Sequence, residues 1–368
     1  MPDFRMNADL VIILTAILVS TASALVGTFL VLRRMALMAD AISHAVLPGI
    51  VLAFWLSGGE RATLPALLGA AAAGLATVTL VEWLTRTGKV KNDAAIGIVF
   101  PALFSLGVLA VSLYFRNVHL DMDAVLYGEI AYAPFNNLTL WGREIPESWL
   151  VMGSLTLLNL LFVLLFYKEL KLSTFDAGLA ATLGFAPGAL HYGLMTLVSF
   201  TSVGAFQSVG AILIVAFLII PPATAYLLTQ RLPVMIALAV GIGFISSLAG
   251  YALAIWLDAS IAGMMAAVAG ICFALAFFFS PLEGFLTSRL RRDRQRLEVA
   301  ARLLVAHLAH HSQPVPEQEV LEEFGWNPRF LKQAREKALQ AGWLEVVREG
   351  LRPTHSGLAV SAQPQLDR

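Results

Sequence analysis

Asp40 and His44 are set in the middle of a long apolar stretch, LRRMALMADAISHAVLPGIVLAF, residues 32–54. Four residues separate them, so on a helix both side chains project from one face. A carboxylate and an imidazole are costly at bilayer depth and are expected to face a pathway or a partner rather than lipid. Together they offer oxygen and nitrogen donors of the kind that bind first-row divalent metals. The competing reading is an intramembrane ion pair or hydrogen bond that pins two helices. Spacing alone leaves both open.

The elements that must position this pair are membrane helices. The chain of 368 residues is 58% hydrophobic and only 14% charged, with a mean hydropathy of +0.75. A soluble protein of this length needs far more polar surface to cover its core. Apolar runs of ~20 residues broken by short charged loops instead predict a polytopic α-helical membrane protein. The formal net charge is zero, so no global field points to nucleic acid or anionic surfaces. The single cysteine, Cys272, lies in an apolar run; it excludes an intrachain disulfide and a thiolate-rich metal site, and reads as a small buried hydrophobe. The first apolar run follows MPDFRMNADL with no clear cleavage site and reads as a retained helix rather than a signal peptide.

Predicted spans are 9–32, 40–57, 63–84, 94–115, 149–167, 190–203, 205–228, 232–256 and 261–280. The run 190–203 is shorter than the ~20 residues of a simple span and is followed by Gly204 and by Gln207-Ser208, so a re-entrant or broken element is the alternative. The count is eight or nine. With nine, Arg33-Arg34, Arg86 with Lys89 and Lys91, Lys168 with Lys171, Arg231 and the basic run 289–296 share one side. The loop 116–148, with Asp121, Asp123, Glu129, Glu144 and Glu147, falls on the other. The excess of basic residues predicts a cytoplasmic C-terminus and an outside N-terminus. With eight, the N-terminal placement flips. Pro48, Pro101 and Pro221-Pro222 are expected to bend or break helices, and Pro48 would free a carbonyl one turn back, beside His44. Gly69 and Gly74 among alanines predict close helix approach.

The string Ala39-Asp40-Ala41-Ile42-Ser43-His44-Ala45-Val46-Leu47-Pro48-Gly49 resembles the membrane subunits of bacterial ABC-type uptake systems for manganese, zinc and iron. Leu126-Tyr127-Gly128-Glu129 is similar to that family's extracellular-side Leu-Phe-Gly element. Gln207-Ser208-Val209-Gly210, with Leu218-Ile219-Ile220-Pro221-Pro222-Ala223-Thr224-Ala225, is similar to its late Gln-x-x-Gly…Pro-Ala-x-x-Ala helix. The resemblance spans roughly residues 9–280. It departs at Ala39, where the family usually has glycine. It implies a permease subunit that pairs with a second copy of itself or a paralogous permease, so that Asp40 and His44 from two subunits line a central pathway. It implies cytoplasmic ATP-binding subunits, an extracytoplasmic metal-binding protein and a bacterial inner-membrane location. Mn²⁺, Zn²⁺ or Fe²⁺ would be the transported substrate, manganese slightly favoured, with no permanently bound cofactor. The ligand set itself does not choose among these ions.

A second segment, residues 173–185, has Phe175, Leu179 and Leu183 at i, i+4 and i+8. This spacing predicts a short helix with a narrow apolar stripe, capped by Thr174 or Asp176 and ended by Gly184. An amphipathic connector lying on the bilayer is one reading. The resemblance implies a coupling helix that docks on the ATPase. No Gly-x-x-x-x-Gly-Lys-Ser/Thr string occurs in the sequence, so the resemblance assigns ATP hydrolysis to a separate polypeptide and not to this chain. Other polar residues carry less. Glu82 is expected to snorkel from a helix end, Asp93 to cap a helix, and His191 to be a candidate second ion contact. His119, Asp121 and Asp123 form either a solvated face or a loop site, and Gln207 either lines the pathway or bonds between helices.

At 288 the composition turns polar, which divides the chain into a membrane domain, 1–287, and a small domain, 288–368. A basic amphipathic helix over 289–311 is followed by Pro314 and Pro316, a helix over 317–324, and a third over 328–341 with Asn327 as N-cap and Gly342 at its end. Two short strands, 344–347 and 351–353, complete a winged helix-turn-helix pattern, hence a small α+β winged-helix domain. It resembles the winged-helix part of metal-dependent repressors. Arg329, Lys332, Arg335 and Lys337 offer charge for DNA, but Glu317, Glu319, Glu322 and Glu323 offset it and a membrane tether restricts access. A regulatory or dimer-contact role is favoured over DNA. His307, His310 and His311 stand beside this pattern, with metal sensing open. Two rival functions remain from the sequence: a gradient-driven secondary metal transporter, and a membrane-tethered metal-responsive regulator.

Overall fold

A computed structural model describes residues 8–57, 63–114, 130–140, 143–280, 284–311, 313–347 and 350–361. The chain divides into two compact units, Met1–Ser280 and Pro281–Arg368.

In the first unit the helices are α1 (Ala8–Leu32), α2 (Ala36–Ala45), α3 (Leu47–Leu56), α4 (Thr63–Arg86) and α5 (Asn92–Tyr114). A 3-10 turn (Ile130–Phe135) and an antiparallel hairpin, β1 (Asn137–Leu140) with β2 (Arg143–Pro146), follow. Then come α6 (Glu147–Leu165), α7 (Tyr167–Phe175), α8 (Ala177–Thr182), α9 (Pro187–Val209), α10 (Ala211–Leu228), α11 (Leu232–Leu257) and α12 (Ile261–Phe279). Among the described residues, nine helical stretches are long and apolar enough to cross a membrane, with α2 and α3 together making one of them. The unit is thus a polytopic helical membrane protein.

Helix α1 is the axis of this bundle, packed against α6, α9, α10 and α11. Ala16, Val19, Ala22, Val26 and Phe29 are all buried along it. Gly27 lies directly against the Leu218 carbonyl and the Pro222 ring of α10, so no side chain fits there. Asn159 of α6 ties the same region together, donating to the Ala22 carbonyl (3.1 Å) and to Thr201 Oγ1 of α9 (2.8 Å). The outer faces carry exposed Leu109, Leu164, Ile255 and Phe279, which is the pattern a lipid-facing surface requires. At the end of α1 the Arg33-Arg34 turn reverses the chain. Arg34 takes a left-handed φ of 58°, and the Met35 amide donates back to the Leu30 carbonyl at 2.9 Å.

One expectation changes. Residues 190–203 are not a short or re-entrant piece: they sit inside α9, a continuous 23-residue helix. Hydroxyl groups in and after the run find carbonyl partners. Thr196 donates to the Tyr192 carbonyl, Ser199 to the Ala70 carbonyl of α4, and Ser208 to the Gly204 carbonyl. The break falls at Gly210, whose φ of +82° suits glycine, rather than at Gly204, which packs against Leu155 and Val151 of α6. The span carrying Asp40 is broken beside Pro48, whereas α5 and α10 run on through Pro101 and Pro221-Pro222. Val46 ends α2 and begins α3, and Pro48 sits in the first turn of α3, where a missing N–H does no harm. Gly49 and Gly69 then bring the α3 and α4 backbones into direct contact, each lying against the other's carbonyl. Gly74 meets Ser199 in the same close manner, as the small residues predict.

The second unit contains α13 (Phe285–Ala309), α14 (Glu317–Phe324), α15 (Pro328–Gln340), the hairpin β3 (Leu344–Val347) with β4 (Gly350–Pro353), and α16 (His355–Ser361). Asn327 caps α15, accepting from the Arg329 amide at 3.0 Å. Ala301, Leu304, Val305 and Leu308 of α13 form a core with Val320, Leu331, Ala338, Leu344 and Leu351. Helix α16 had no signal in the apolar pattern; Thr354 and Ser356 fix its start by donating to the Gly342 carbonyl.

Candidate functional site

Helix α2 buries Met38, Ala39, Ala41, Ile42, Ser43 and Ala45, which leaves Asp40 and His44 on its remaining stripe. His44 Nε2 lies 3.4 Å from Asp40 Oδ1, with the side chains 30% and 45% exposed respectively. That separation is long for a charge-assisted hydrogen bond, which is normally ~2.7–2.9 Å. The His44 ring also leans on Phe100 of α5, with centroids 5.5 Å apart. Both polar groups therefore keep bonding capacity directed out of the subunit. Ser43 between them is buried and turned back, donating to the Ala39 carbonyl at 2.9 Å. The break at Val46 places the Pro48-Gly49 packing notch one turn beyond His44, and Pro48 lies against Gly107 of α5. The Asp–His stripe is thus held by α4 and α5.

A second polar constellation was only partly visible in the sequence. Glu82 of α4, His191 and Tyr192 of α9, Arg33 after α1, and Ser173 and Thr174 of α7 form one connected network. His191 Nε2 lies 2.6 Å from Glu82 Oε1, although off the ideal hydrogen-bond direction. Tyr192 donates to Glu82 Oε2 at 2.9 Å. Arg33 contacts His191 Nδ1 at 3.3 Å, and donates to Ser173 Oγ at 3.0 Å and Thr174 Oγ1 at 3.1 Å. Because an arginine can only donate, His191 Nδ1 must accept, so the ring proton sits on Nε2, facing the carboxylate. Burial lowers the Arg33 guanidinium from its ordinary value, yet it stays cationic. Glu82 does not snorkel: it accepts from Tyr192 and lies against His191 Nε2, while His191 Nδ1 is taken by Arg33. Arg33, Glu82, His191 and the pair Ser173-Thr174 are far apart in sequence, so no spacing rule links them; the only hint was a carboxylate and an imidazole at the ends of apolar runs.

Comparison with known proteins decides the family. The family model described as "ABC 3 transport family" matches residues 9–280. The chain belongs to the ABC 3 transport family. Among its relatives, the zinc transport system membrane protein TroD of Treponema pallidum is 46% identical over 362 residues, covering 97% of this chain and 98% of that protein. The manganese transport system membrane protein MntD of Bacillus subtilis is 47% identical over 296 residues, 80% of this chain and all of its own length. A solved structure, PsaBC from Streptococcus pneumoniae in complex with Fab, superposes with a TM-score of 0.63 at 32% identity, over 76% of this chain and 94% of that one. The 362-residue match to TroD runs past Ser280 into the second unit, so the second unit has a counterpart within the family.

In this ABC 3 family member the segment 173–185 is built differently from the single short helix that the sequence predicts. Phe175 is the last residue of α7, and Asp176 breaks the chain with φ −149° before α8 begins. The Asp176 side chain accepts from the Leu179 amide at 2.8 Å, and Gly184 follows α8 with φ +87°. Asp176 is therefore the cap, whereas Thr174 turns to Arg33. Phe175, Leu179 and Leu183 are all exposed, Phe175 by 64%, around a kink rather than along one stripe. Gln207 lies on α9, but its side chain is outside the described residues, as are the 126–129 element and His119, Asp121 and Asp123.

Proposed function

We propose that this chain is the permease subunit of an ATP-binding-cassette importer for a divalent transition metal, Mn²⁺, Zn²⁺ or Fe²⁺. Family membership supports the class, and the exposed Asp40–His44 stripe is the observation that carries the site. In a dimer, with itself or a paralogous permease, two such stripes facing one another would offer two carboxylates and two imidazoles to a partly dehydrated ion. Such a site must bind weakly enough to release its ion, and donors half open to solvent suit that need better than a closed cage. The names of relatives support the metal range: TroD is a zinc and MntD a manganese system protein.

ATP hydrolysis is assigned to separate cytoplasmic subunits that seat the exposed Phe175, Leu179 and Leu183. Thr174 and Asp176 would shape that contact, the first through Arg33 and the second by capping α8. Motion at this segment would reach α1, α4 and α9 through Arg33, His191 and Glu82. An extracytoplasmic binding protein delivers the ion on the opposite side, and Gln207 is kept as a pathway residue. The membrane domain is taken as 1–287 in the bacterial cytoplasmic membrane, with the C-terminus inside. Residues 288–368 are taken as a winged-helix-like regulatory or dimer-contact domain, a reading supported by the order of α14, α15 and the β3–β4 hairpin. Metal accumulation in cells tests the site. Asp40→Ala and His44→Ala should each abolish uptake while the protein still inserts, and normal uptake by both variants would overturn the assignment.

A further inference from the structure

The second unit holds a cluster of metal-ligating side chains outside the Asp40–His44 stripe. His307 is on the last turn of α13, His311 lies one turn on, and Glu323 comes from the last turn of α14. One ligand atom from each of the three lies within 4.8 Å of the others. His307 Nε2 is 3.4 Å from Glu323 Oε2, and the two imidazole rings are 4.7 Å apart. The His307 side chain is only 10% exposed, and its Nε2 is buried without a hydrogen-bond partner. A buried ring nitrogen left unsatisfied is costly, so this one points to a ligand that would satisfy it. Phe324 packs edge-on against the His307 ring at 5.2 Å and fixes its orientation. Neighbouring His310 is turned away, its Nδ1 pairing with the Ala306 carbonyl at 2.8 Å.

We propose that His307, His311 and Glu323 form a binding site for a single divalent transition metal ion, with water at the fourth position. Two imidazoles and one carboxylate are a ligand set that Zn²⁺ accepts in tetrahedral geometry. Metal–ligand bonds of about 2.0–2.2 Å put tetrahedral donors about 3.3–3.6 Å apart. The His307–Glu323 pair already has that spacing. His311 and Glu323 are exposed and free to rotate inward, so a preset buried ligand is joined by two adaptable ones. The ion would clamp the end of α13 to the end of α14 across the intervening Pro314–Pro316 turn. This assignment stands apart from the transport reading, because none of its residues belongs to the membrane unit.

The test uses the full chain purified in detergent, carrying Asp40→Ala and His44→Ala so that the transport pair cannot contribute. Co²⁺ is titrated as a spectroscopic substitute for Zn²⁺. The expected result is one equivalent bound with the intense visible bands of tetrahedral coordination, displaced by Zn²⁺. His311→Ala and Glu323→Gln, both at exposed positions, should weaken binding at least tenfold, and His310→Ala should not change it. Amide exchange across the α13–α14 turn should slow when Zn²⁺ is added. A spectrum that stays that of hydrated Co²⁺, or one indifferent to both His311→Ala and Glu323→Gln, would show a plain histidine–carboxylate pair and overturn the site.

Discussion

Among the described residues of the membrane unit, two carboxylate–imidazole contacts look alike in composition and differ in geometry and surroundings. Asp40 and His44 meet at 3.4 Å on one stripe of one helix and stay partly open. Glu82 and His191 meet at 2.6 Å between two helices, and Tyr192, Arg33, Ser173 and Thr174 take up the surrounding bonding capacity. A charge pair that is closed by other protein groups has little left for a ligand and serves to hold helices together. A pair that is left open by its own subunit needs another partner, whether an ion or a second subunit. The surroundings of the two contacts, one enclosed by other side chains and one left open, distinguish them more clearly than residue type does.

The largest effect should come from removing donors on the open side. Asp40→Asn or His44→Gln keeps the volume but changes the ligand, and metal uptake should fall by more than the ~10–100-fold typical of changing a residue that only orients a metal's ligands. The melting temperature in detergent should stay put. A large fall in melting temperature with uptake preserved would reverse the roles assigned to the two pairs. Next in size, Phe175→Ala combined with Leu179→Ala should reduce uptake several-fold without loss of folded protein, since both side chains are exposed. Retention of full uptake would favour a gradient-driven carrier that needs no ATPase.

On the closed side the readout inverts. Glu82→Ala leaves His191 and Tyr192 without their carboxylate and should lower stability by about 1–3 kcal/mol, a range reduced for partial exposure, seen as a lower melting temperature. An unchanged melting temperature would remove the scaffold role. The smallest effect is expected for Thr174→Val, which deletes one acceptor of Arg33 and should cost about 0.5–1.5 kcal/mol. If it lowers uptake more than it lowers stability, the link from α7 to α1 carries motion as well as support.

Much of the architecture was legible because lipid imposes a simple rule on sequence. Apolar runs of sufficient length marked the spans, and the Asp–Ser–His–Pro–Gly spacing marked α2 and the start of α3. The reading failed where glycine and polar residues sit inside a continuous helix. Gly204 and Gln207-Ser208 made the run 190–203 look interrupted, yet Gly204 packs against Leu155 and Val151 and Ser208 bonds to the Gly204 carbonyl, so the helix runs on to Val209. The 175–183 stripe failed for a local reason. Asp176 caps better than it continues a helix, so the kink falls inside the predicted period.

The sequence by itself determined the class of the protein, its number of spans to within one, and the pair of donors on α2, because each depends on local composition and on the fixed period of a helix. Only the tertiary structure decided which polar residues are spoken for. Arg33, Glu82 and His191 are brought together by α1, α4 and α9, and the buried Nε2 of His307 comes to face Glu323 through the packing of α13 on α14. Whether a donor is free or satisfied is a property of its neighbours in space, and for these residues the neighbours are distant in sequence.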